Sequence, residues 1–426
     1  MMKNVKYLIV GAGISGLTLA ANLRGDDYLI IEKDNCIGGL CKTFYKDGYV
    51  WDCAGHFFHF ATQEGLSEFK EDMHDNDFVV CKKTTNIYLK GRHIDYPFQA
   101  NIHQLEKEDF IDCLYYLYFR NRKAEYENFE DMLYGKFGKG ITDLFLRPYN
   151  EKLYACKINS LDTDSMGRFF PYVDLKQIIS NMRGGGITTY NSIFEYPKKG
   201  ANFYIDIIAR RVKSDNIKLN TELLSIDIDK KEAITSKGDV IKYDYVINTG
   251  SLKRFVSMIS NNCEYKNTSD YVLTSNKVLV FNIGFDLDCI DKATQWTYFP
   301  GDDVNFYRIG FYNNILKTNK MSLYVEIGFS EHDEIDVESE FEKAISGLKR
   351  IGVINDHKVL SYNYLIIDPG YVHITKNSID YANKIRHYLM NKGVYSIGRY
   401  GMWTYCSIED CVVSAKKLAK SFLLFE

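Results

Sequence analysis

The first thirty-two residues contain the pattern that most constrains the fold of this chain. Apolar and helical spacing predicts a buried strand at 4–10, a helix at 14–23 and a second strand at 27–32. Three glycines, Gly11, Gly13 and Gly16, shape the turn between the first strand and the helix, and Glu32 ends the second strand. Such a turn lets the backbone approach a pyrophosphate, and the acid can accept a hydrogen bond from a ribose hydroxyl. The sequence therefore predicts a Rossmann-like unit that binds a dinucleotide.

The rest of the chain alternates between helical and strand-like patterns. Residues 103–185 carry apolar side chains at helical spacing, whereas 270–330 contain several short β-rich runs. We therefore predict an α/β fold with α+β insertions, in which a Rossmann-like domain is interrupted by a helical domain and an antiparallel β-sheet domain. The predicted boundaries are 1–81, 187–275 and 388–426 for the dinucleotide domain, 103–180 for the helical domain, and 82–102, 181–186 and 276–387 for the sheet domain.

Composition narrows the class of protein. The 426 residues carry a formal net charge of −3 and no charged tail, so we expect no nucleic-acid partner. The ten cysteines include no CxxC spacing and no paired Cys/His ligand set, so we expect reduced thiols and no metal site. Glycines interrupt the apolar stretch 7–23, which argues against a membrane span. We expect a cytoplasmic protein and leave homo-oligomerisation open.

Further motifs indicate that the dinucleotide is FAD. Gly38 and Gly39 follow the second strand, GYVWDCAGHFFHF occupies 48–60, NTG occupies 248–250, and a late strand ends at Gly398 and Arg399. Together these features resemble FAD-binding proteins of the glutathione-reductase and amine-oxidase kind. The predicted cofactor-binding residues are Gly11, Gly13, Ile14, Ser15, Gly16, Glu32, Lys33, Gly39, Leu40, Gly55, His56, Gly398, Arg399 and Tyr405.

Five segments carry a closer resemblance. They are YPFQAN (96–101), GITDLFLRPYNEKLYA (140–155), WTYFPGDDVNFYR (296–308), DPGYV (368–372) and GRYGMWTY (398–405). In this order they resemble the UDP-galactopyranose mutase family, especially its fungal and protozoan members. The resemblance implies reduced FAD as the active cofactor and a UDP-sugar as the substrate. It also implies an isomerase reaction that interconverts UDP-galactopyranose and UDP-galactofuranose through a covalent adduct between flavin N5 and the sugar. Such a reaction would serve the biosynthesis of cell-surface glycans.

The resemblance also assigns substrate-binding residues. Tyr96, Phe98 and Gln99 would hold the uracil, because flat rings and an amide can recognise a base, while Asn150 and Tyr154 would flank it. A diphosphate needs donors that compensate its charge, and arginine and tyrosine side chains supply them. The predicted diphosphate set is Arg308, Tyr371, Arg399 and Tyr405.

Another set is expected around the sugar and the flavin. Asn191, Trp296 and Tyr298 would lie near the sugar. His56 would lie against the flavin, where an imidazole could tune its environment or act as a base. The predicted catalytic residues are Arg308, Arg399, His56 and Arg168.

Glu409 departs from the family pattern. Fungal members have an asparagine there, and a carboxylate near a diphosphate is unfavourable unless it is paired or turned away. This residue leaves open a mutase for another nucleotide sugar, such as UDP-N-acetylgalactosamine. The shared FAD motifs also leave open an amine-oxidase-like or protoporphyrinogen-oxidase-like oxidoreductase.

Overall fold

The structure, a computed structural model, describes residues 2–55, 77–184 and 193–424. Its strands are β1 Met2–Val10, β2 Tyr28–Ile31, β3 Thr43–Lys46, β4 Tyr49–Asp52, β5 Phe78–Lys82, β6 Thr85–Leu89, β7 Arg92–Asp95, β8 Ile193–Pro197, β9 Ile217–Lys218, β10 Leu223–Asp227, β11 Glu232–Thr235, β12 Val240–Asn248, β13 Asn276–Phe285, β14 Trp296–Tyr298, β15 Arg308–Phe311, β16 Ser322–Ser330, β17 Val359–Ile367 and β18 Val394–Ser396. Its α-helices are α1 Ile14–Asn22, α2 Lys107–Tyr118, α3 Phe129–Ile141, α4 Arg147–Tyr154, α5 Leu175–Met182, α6 Asn202–Ala209, α7 Leu252–Ser257, α8 Lys266–Val272, α9 Tyr312–Leu316, α10 Val337–Arg350, α11 Lys376–Met390, α12 Gly398–Gly401 and α13 Ile408–Leu424.

The first sheet has the order β10-β11-β12-β1-β2-β9, with β18 beside β12. Strand β1 runs parallel to both β2 and β12, and Val10 pairs with Ile31 on one side and with Asn248 on the other. Parallel strands place their carboxyl ends at one edge of a sheet, where doubly wound folds bind nucleotides. Gly11, Glu32 and Thr249 therefore meet at that edge, and the predicted Rossmann-like unit is confirmed.

This sheet is buried on both faces. Ile9 packs with Leu17 of α1 and Ala415 of α13 in one apolar core. Leu8, the next residue along β1, points the other way and packs with Ile385 of α11. A continuous apolar run such as 5–10 is what a strand covered on both faces requires.

The second sheet has the order β17-β13-β16-β15-β14-β6-β7. All of its neighbouring pairs are antiparallel except β14 with β6, which agrees with the predicted antiparallel sheet. Along β13, Leu279 packs toward α10, whereas Val280 packs toward the helical insertion. The sheet therefore joins two cores and presents the ends of β14 and β15 toward the helices.

The helical insertion comprises α2 to α5, as the apolar spacing predicted. Phe129, Leu133 and Phe137 form its interior together with Phe98. A π-helical turn, Thr142–Leu146, separates α3 from α4. Such turns change the direction of a helix and are frequent near functional sites.

The domain boundaries stay a prediction. Helix α11, which the predicted boundary at 388 divides, packs through Tyr381, Ile385 and Leu389 against the core of the first sheet. Within the described residues, no helix is both long enough and apolar enough to cross a membrane.

Candidate active site

The turn after β1 has the geometry of a pyrophosphate site. Gly11 has a φ of 106°, and a Cβ atom there would lie 2.5 Å from Thr249 Oγ1. Helix α1 begins at Ile14 without a side-chain cap and without an acidic residue in its first turn. Its first N–H groups therefore stay available to an anion, which the helix dipole also favours.

Glu32 is held rigidly at the edge of the sheet. The carboxylate is 7% exposed and accepts hydrogen bonds from the backbone N–H groups of Ala12 (2.7 Å) and Asp34 (3.0 Å). These bonds tie the acid to the glycine turn and aim it along the sheet edge. Its position fits the ribose contact expected of a dinucleotide.

Two further glycine segments close around this turn. Gly38 forms a bridge with Gly13, and the backbone of Gly39 lies close to the same residue. On the other side, a Cβ atom at Gly398 would lie 2.6 Å from Ser15 Oγ. These close backbone approaches and uncapped N–H groups fit FAD. Of the other predicted cofactor residues, Ile14, Leu40 and Gly55 are partly buried, whereas Lys33 is exposed.

Arg399 forms the centre of an aromatic cluster. Its guanidinium carbon lies 4.5 Å from the ring centre of Tyr405 and 5.4 Å from that of Tyr371, and these two rings stack at 6.0 Å. Nη1 donates to the carbonyl of Cys406 (3.3 Å), while the buried Nε has no hydrogen-bond partner among the described residues. A partly buried cation whose buried Nε donor is unused suits an anionic ligand. Burial also raises the pKa of Tyr371, so its hydroxyl stays a neutral donor.

Arg308 has a partner that the sequence did not reveal. It faces Glu326 across the β15–β16 ladder, Nε donates to one carboxylate oxygen, and Nη2 donates to the other at 2.7 Å. Burial is the largest single influence and lowers the pKa of Arg308, but the charge and hydrogen bond of Glu326, together with Tyr371 and Tyr324, raise that pKa well above its ordinary value. The pair carries no net charge. In the predicted diphosphate set, Arg399 is therefore the arginine without a carboxylate partner in the described part of the chain.

Three of the predicted uracil residues are buried polar side chains with an atom that is unpaired in the described structure. Gln99, Asn150 and Tyr154 are each at most 2% exposed. Gln99 donates to the carbonyl of Pro171, and Asn150 donates to that of Leu146 (2.6 Å). Three polar atoms of these side chains have no hydrogen-bond partner within the described ranges: Gln99 Oε1, Asn150 Oδ1 and Tyr154 Oη. Buried polar atoms are normally paired, so these three are suited to a ligand.

Aromatic rings connect the uracil set to the sugar set. Tyr96 lies 5.2 Å from Tyr298, and Trp296 Nε1 donates to Tyr298 Oη at 2.7 Å. Tyr154 meets Tyr371 edge to face at 5.8 Å. Phe98 is fully buried and stacks on Phe145. Tyr96, Tyr154, Tyr298 and Tyr371 all pack in or against the core of the helical insertion, and Trp296 joins them through Tyr298, so these five residues form one wall.

Lys83 belongs to this wall, although the sequence analysis did not select it. Its Nζ lies 5.1 Å from the ring centre of Tyr96 and 5.5 Å from that of Trp296. It makes no ion pair or hydrogen bond in the described structure, and burial lowers its pKa to about 8. Lys83 lies in the short link between β5 and β6, where a lysine carries no local signal, because only the fold brings it beside Tyr96.

The remaining predicted residues lie at the margin or outside. Arg168 is 45% exposed and bonds to Asp410 at 2.9 Å, so its charge is already paired, although the adjacent Phe169 packs on Tyr405. Glu409 is buried at the start of α13. His56 and Asn191 lie outside the described residues. Among the residues that are described, no group of His, Cys, Asp or Glu side chains could hold a metal ion.

Comparison with known proteins identifies the family of the chain. The model of the flavin containing amine oxidoreductase family matches residues 14–421. The corticosteroid-binding protein of Candida albicans is 27% identical over 58% of this chain, and the 4,4'-diapophytoene desaturase of Staphylococcus aureus strain MRSA252 is 21% identical over 70% of it. The chain spans only 52% and 66% of the lengths of these two relatives.

Solved structures match over nearly the whole chain. The reduced form of UDP-galactopyranose mutase superposes with a TM-score of 0.91 and 25% identity, covering 99% of this chain and 94% of that chain. A putative protoporphyrinogen oxidase from Exiguobacterium sp. 255-15 matches with a TM-score of 0.75 and 18% identity, covering both chains fully, and shares the fold. The chain therefore belongs to the flavin containing amine oxidoreductase family, has FAD as its cofactor, and resembles UDP-galactopyranose mutase within that family.

Proposed function

We propose that this chain is a UDP-galactopyranose mutase, which interconverts UDP-galactopyranose and UDP-galactofuranose. One observation carries the proposal: Gln99, Asn150 and Tyr154 each keep a buried polar atom without a partner in the described structure. These three residues come from the segments that the family resemblance assigns to uracil. An oxidase for an apolar substrate has no use for three such atoms, because each one costs free energy when it stays unpaired.

The second support is that cations and neutral hydroxyl donors lie beside these residues. Arg399, ringed by Tyr371 and Tyr405, offers a positive charge and neutral hydroxyl donors to a diphosphate. Lys83 adds a second cation beside Tyr96 and Trp296. A UDP-sugar consists of an aromatic base, two phosphates and a sugar, and aromatic rings, cations and neutral hydroxyl donors suit these parts.

In the proposed reaction the protein binds and orients the substrate. Gln99 and Asn150 accept from the base, while Arg399 and Tyr371 hold the diphosphate as it leaves and returns. Reduced FAD supplies the nucleophilic chemistry at the sugar. Holding both reaction partners in place removes the entropic cost of their encounter, and fixed donors stabilise the negative charge of the departing diphosphate.

The direct test uses holoprotein reduced with dithionite and given UDP-galactofuranose, with products separated by chromatography. We expect UDP-galactopyranose to form with reduced protein and not with oxidised protein. Absence of conversion by reduced protein would reject the substrate, and equal conversion by oxidised protein would reject the role of reduced flavin.

A variant tests the site itself. Arg399→Ala should lose UDP binding while its flavin absorbance stays unchanged, whereas Arg350→Ala, on the exposed face of α10, should bind UDP as the wild type does. Loss of flavin from Arg399→Ala would instead assign this arginine to the cofactor site.

A second candidate keeps the chemistry and changes the sugar. Glu409, a buried carboxylate at the start of α13 where fungal mutases have an asparagine, favours it, because a changed residue in this segment is compatible with a changed substrate. A panel of UDP-sugars that includes UDP-N-acetylgalactosamine separates the two candidates. The oxidoreductase alternative predicts instead hydrogen peroxide production with an amine or porphyrin and no affinity for UDP.

A further inference from the structure

Two cysteines face each other beside Arg399. Cys406 lies in the segment between α12 and α13, and Cys411 lies in the first turns of α13. Their Sγ atoms are 3.7 Å apart, with Cys406 partly exposed and Cys411 7% exposed. A disulfide has an S–S distance of about 2.0 Å, so a shift of roughly 1.7 Å would join them.

The surroundings of Cys411 favour its thiolate. A hydrogen bond from the Cys406 thiol is the largest cause, and the backbone N–H of Arg399, the Ser15 side chain and the Arg399 charge act in the same direction. Together they lower the pKa of Cys411 to about 7, although burial opposes this. The other shifted cysteines behave in the opposite way, since burial raises the pKa of Cys41, Cys53 and Cys113. Thiolate character controls the reactivity of cysteine toward oxidants.

We propose that Cys406 and Cys411 form a reversible disulfide when the protein meets hydrogen peroxide, and that this disulfide weakens nucleotide binding. The first step joins Cys411 Sγ to one peroxide oxygen, breaks the O–O bond and releases hydroxide, which becomes water on protonation. Cys406 Sγ then attacks the sulfenic sulfur, the S–S bond forms, and a second water leaves. Two thiols lose two electrons and two protons, and one peroxide is reduced to two waters.

The predicted effect on binding follows from what Cys406 touches. Its carbonyl accepts from Arg399 Nη1 at 3.3 Å, and its neighbour Tyr405 stacks on Tyr371 and covers the guanidinium. Helix α13 is anchored by Ala415 and Ala419 in the core of the first sheet, so the shorter S–S distance should move the Cys406 segment rather than the helix. Arg399 and Tyr405 would then leave their present geometry. This part of the inference rests on the proposed function, whereas formation of the disulfide does not.

The chain offers a direct readout of the pair. Trypsin cleaves after Arg399 and Lys416, and the intervening peptide contains both cysteines and no internal lysine or arginine. In holoprotein treated with hydrogen peroxide, this peptide should be lighter by two hydrogen atoms and resist alkylation until a dithiol is added. Alkylation of both cysteines after peroxide treatment would overturn the proposal.

Binding is measured on the same samples by flavin fluorescence with UDP. Peroxide should weaken UDP binding about tenfold or more, because displacement of a binding group by about 1 Å has effects of this size, and a dithiol should restore it. Cys411→Ser should bind UDP normally and not respond to peroxide, while Cys156→Ser, which changes a partly exposed cysteine elsewhere, should respond as the wild type does.

The outcomes separate the two proposals. A disulfide without loss of affinity would overturn the regulatory role of the pair. Loss of UDP affinity on peroxide treatment of Cys411→Ser would also overturn that role. If Cys411→Ser loses FAD, Cys406→Ser provides the same test. If untreated wild-type protein does not bind UDP, the proposed function fails, while the peptide still decides whether the disulfide forms.

Discussion

Replacing Glu326 with glutamine tests the energetics of the ion pair with Arg308. The Glu326 side chain is 3% exposed and that of Arg308 is 19% exposed, so water solvates the guanidinium poorly once the carboxylate is gone. Loss of one partner of a buried pair costs about 3–5 kcal/mol, because the remaining charge stays buried without compensation. Glutamine keeps one acceptor oxygen for Arg308, which places the expected loss of unfolding free energy near the lower bound, at about 3 kcal/mol.

The measurement is urea unfolding of the FAD-bound protein, followed by circular dichroism. The matched control is Asp380→Asn, which removes the partner of Lys384 from an ion pair whose side chains are 65% and 62% exposed. Exposed pairs contribute about 0–1 kcal/mol, so this control should unfold almost as the wild type does. A loss below about 1 kcal/mol for Glu326→Gln would refute the reasoning, because it would mean that the guanidinium finds other compensation.

Three further predictions concern the cofactor turn, the lysine of the ligand wall and the loop before β15. Gly398→Ala should lose FAD, measured as the ratio of flavin to protein, because the added Cβ would lie 2.6 Å from Ser15 Oγ. Gly352→Ala is the control and should keep FAD, because Gly352 has a φ of 74°, close to the 77° of Gly398, but a Cβ there meets open space. The affinity of the wild type for UDP should fall as the pH rises through about 8, where Lys83 loses its charge, whereas Lys83→Gln should bind UDP weakly at every pH. The exposed Lys82→Gln is the control and should keep the wild-type pH profile; a wild-type pH profile in Lys83→Gln would contradict the assignment. Lys152→Met should destabilise the protein to urea by about 3 kcal/mol or more, because Nζ donates to the carbonyls of Gly301, Val304 and Phe306, and a loss near zero would show that water replaces it.

Local patterns predicted much of the fold. The glycine spacing after β1, the acid at Glu32 and the apolar runs of the strands are properties of short segments, and the structure has the corresponding turn, strand and helix where they were expected. The resemblance to UDP-galactopyranose mutase, which rested on five short segments, also agrees with the match of the whole fold.

The site residues also differ in how far local sequence could predict them. Tyr96, Tyr154 and Arg399 lie within recognisable segments, and the structure brings them to one wall. Glu326 lies within an ordinary strand and Lys83 lies in the short link between β5 and β6, so nothing in their immediate sequence distinguishes them from core or surface residues. Pairing Arg308 with Glu326 depends on the register of β15 against β16, which no short segment specifies.

The sequence by itself determined the β-α-β turn, the class of nucleotide cofactor and the segments that bear the predicted ligand contacts, because these depend on spacing within a few residues. Only the tertiary structure decided which charges are compensated. It neutralises Arg308 through a neighbouring strand, leaves Arg399 among tyrosines without a carboxylate in the described residues, and sets the thiols of Cys406 and Cys411 in contact. The physical reason is that the free energy of a charge or a thiol depends on distances and burial, and these arise only when distant parts of the chain pack together.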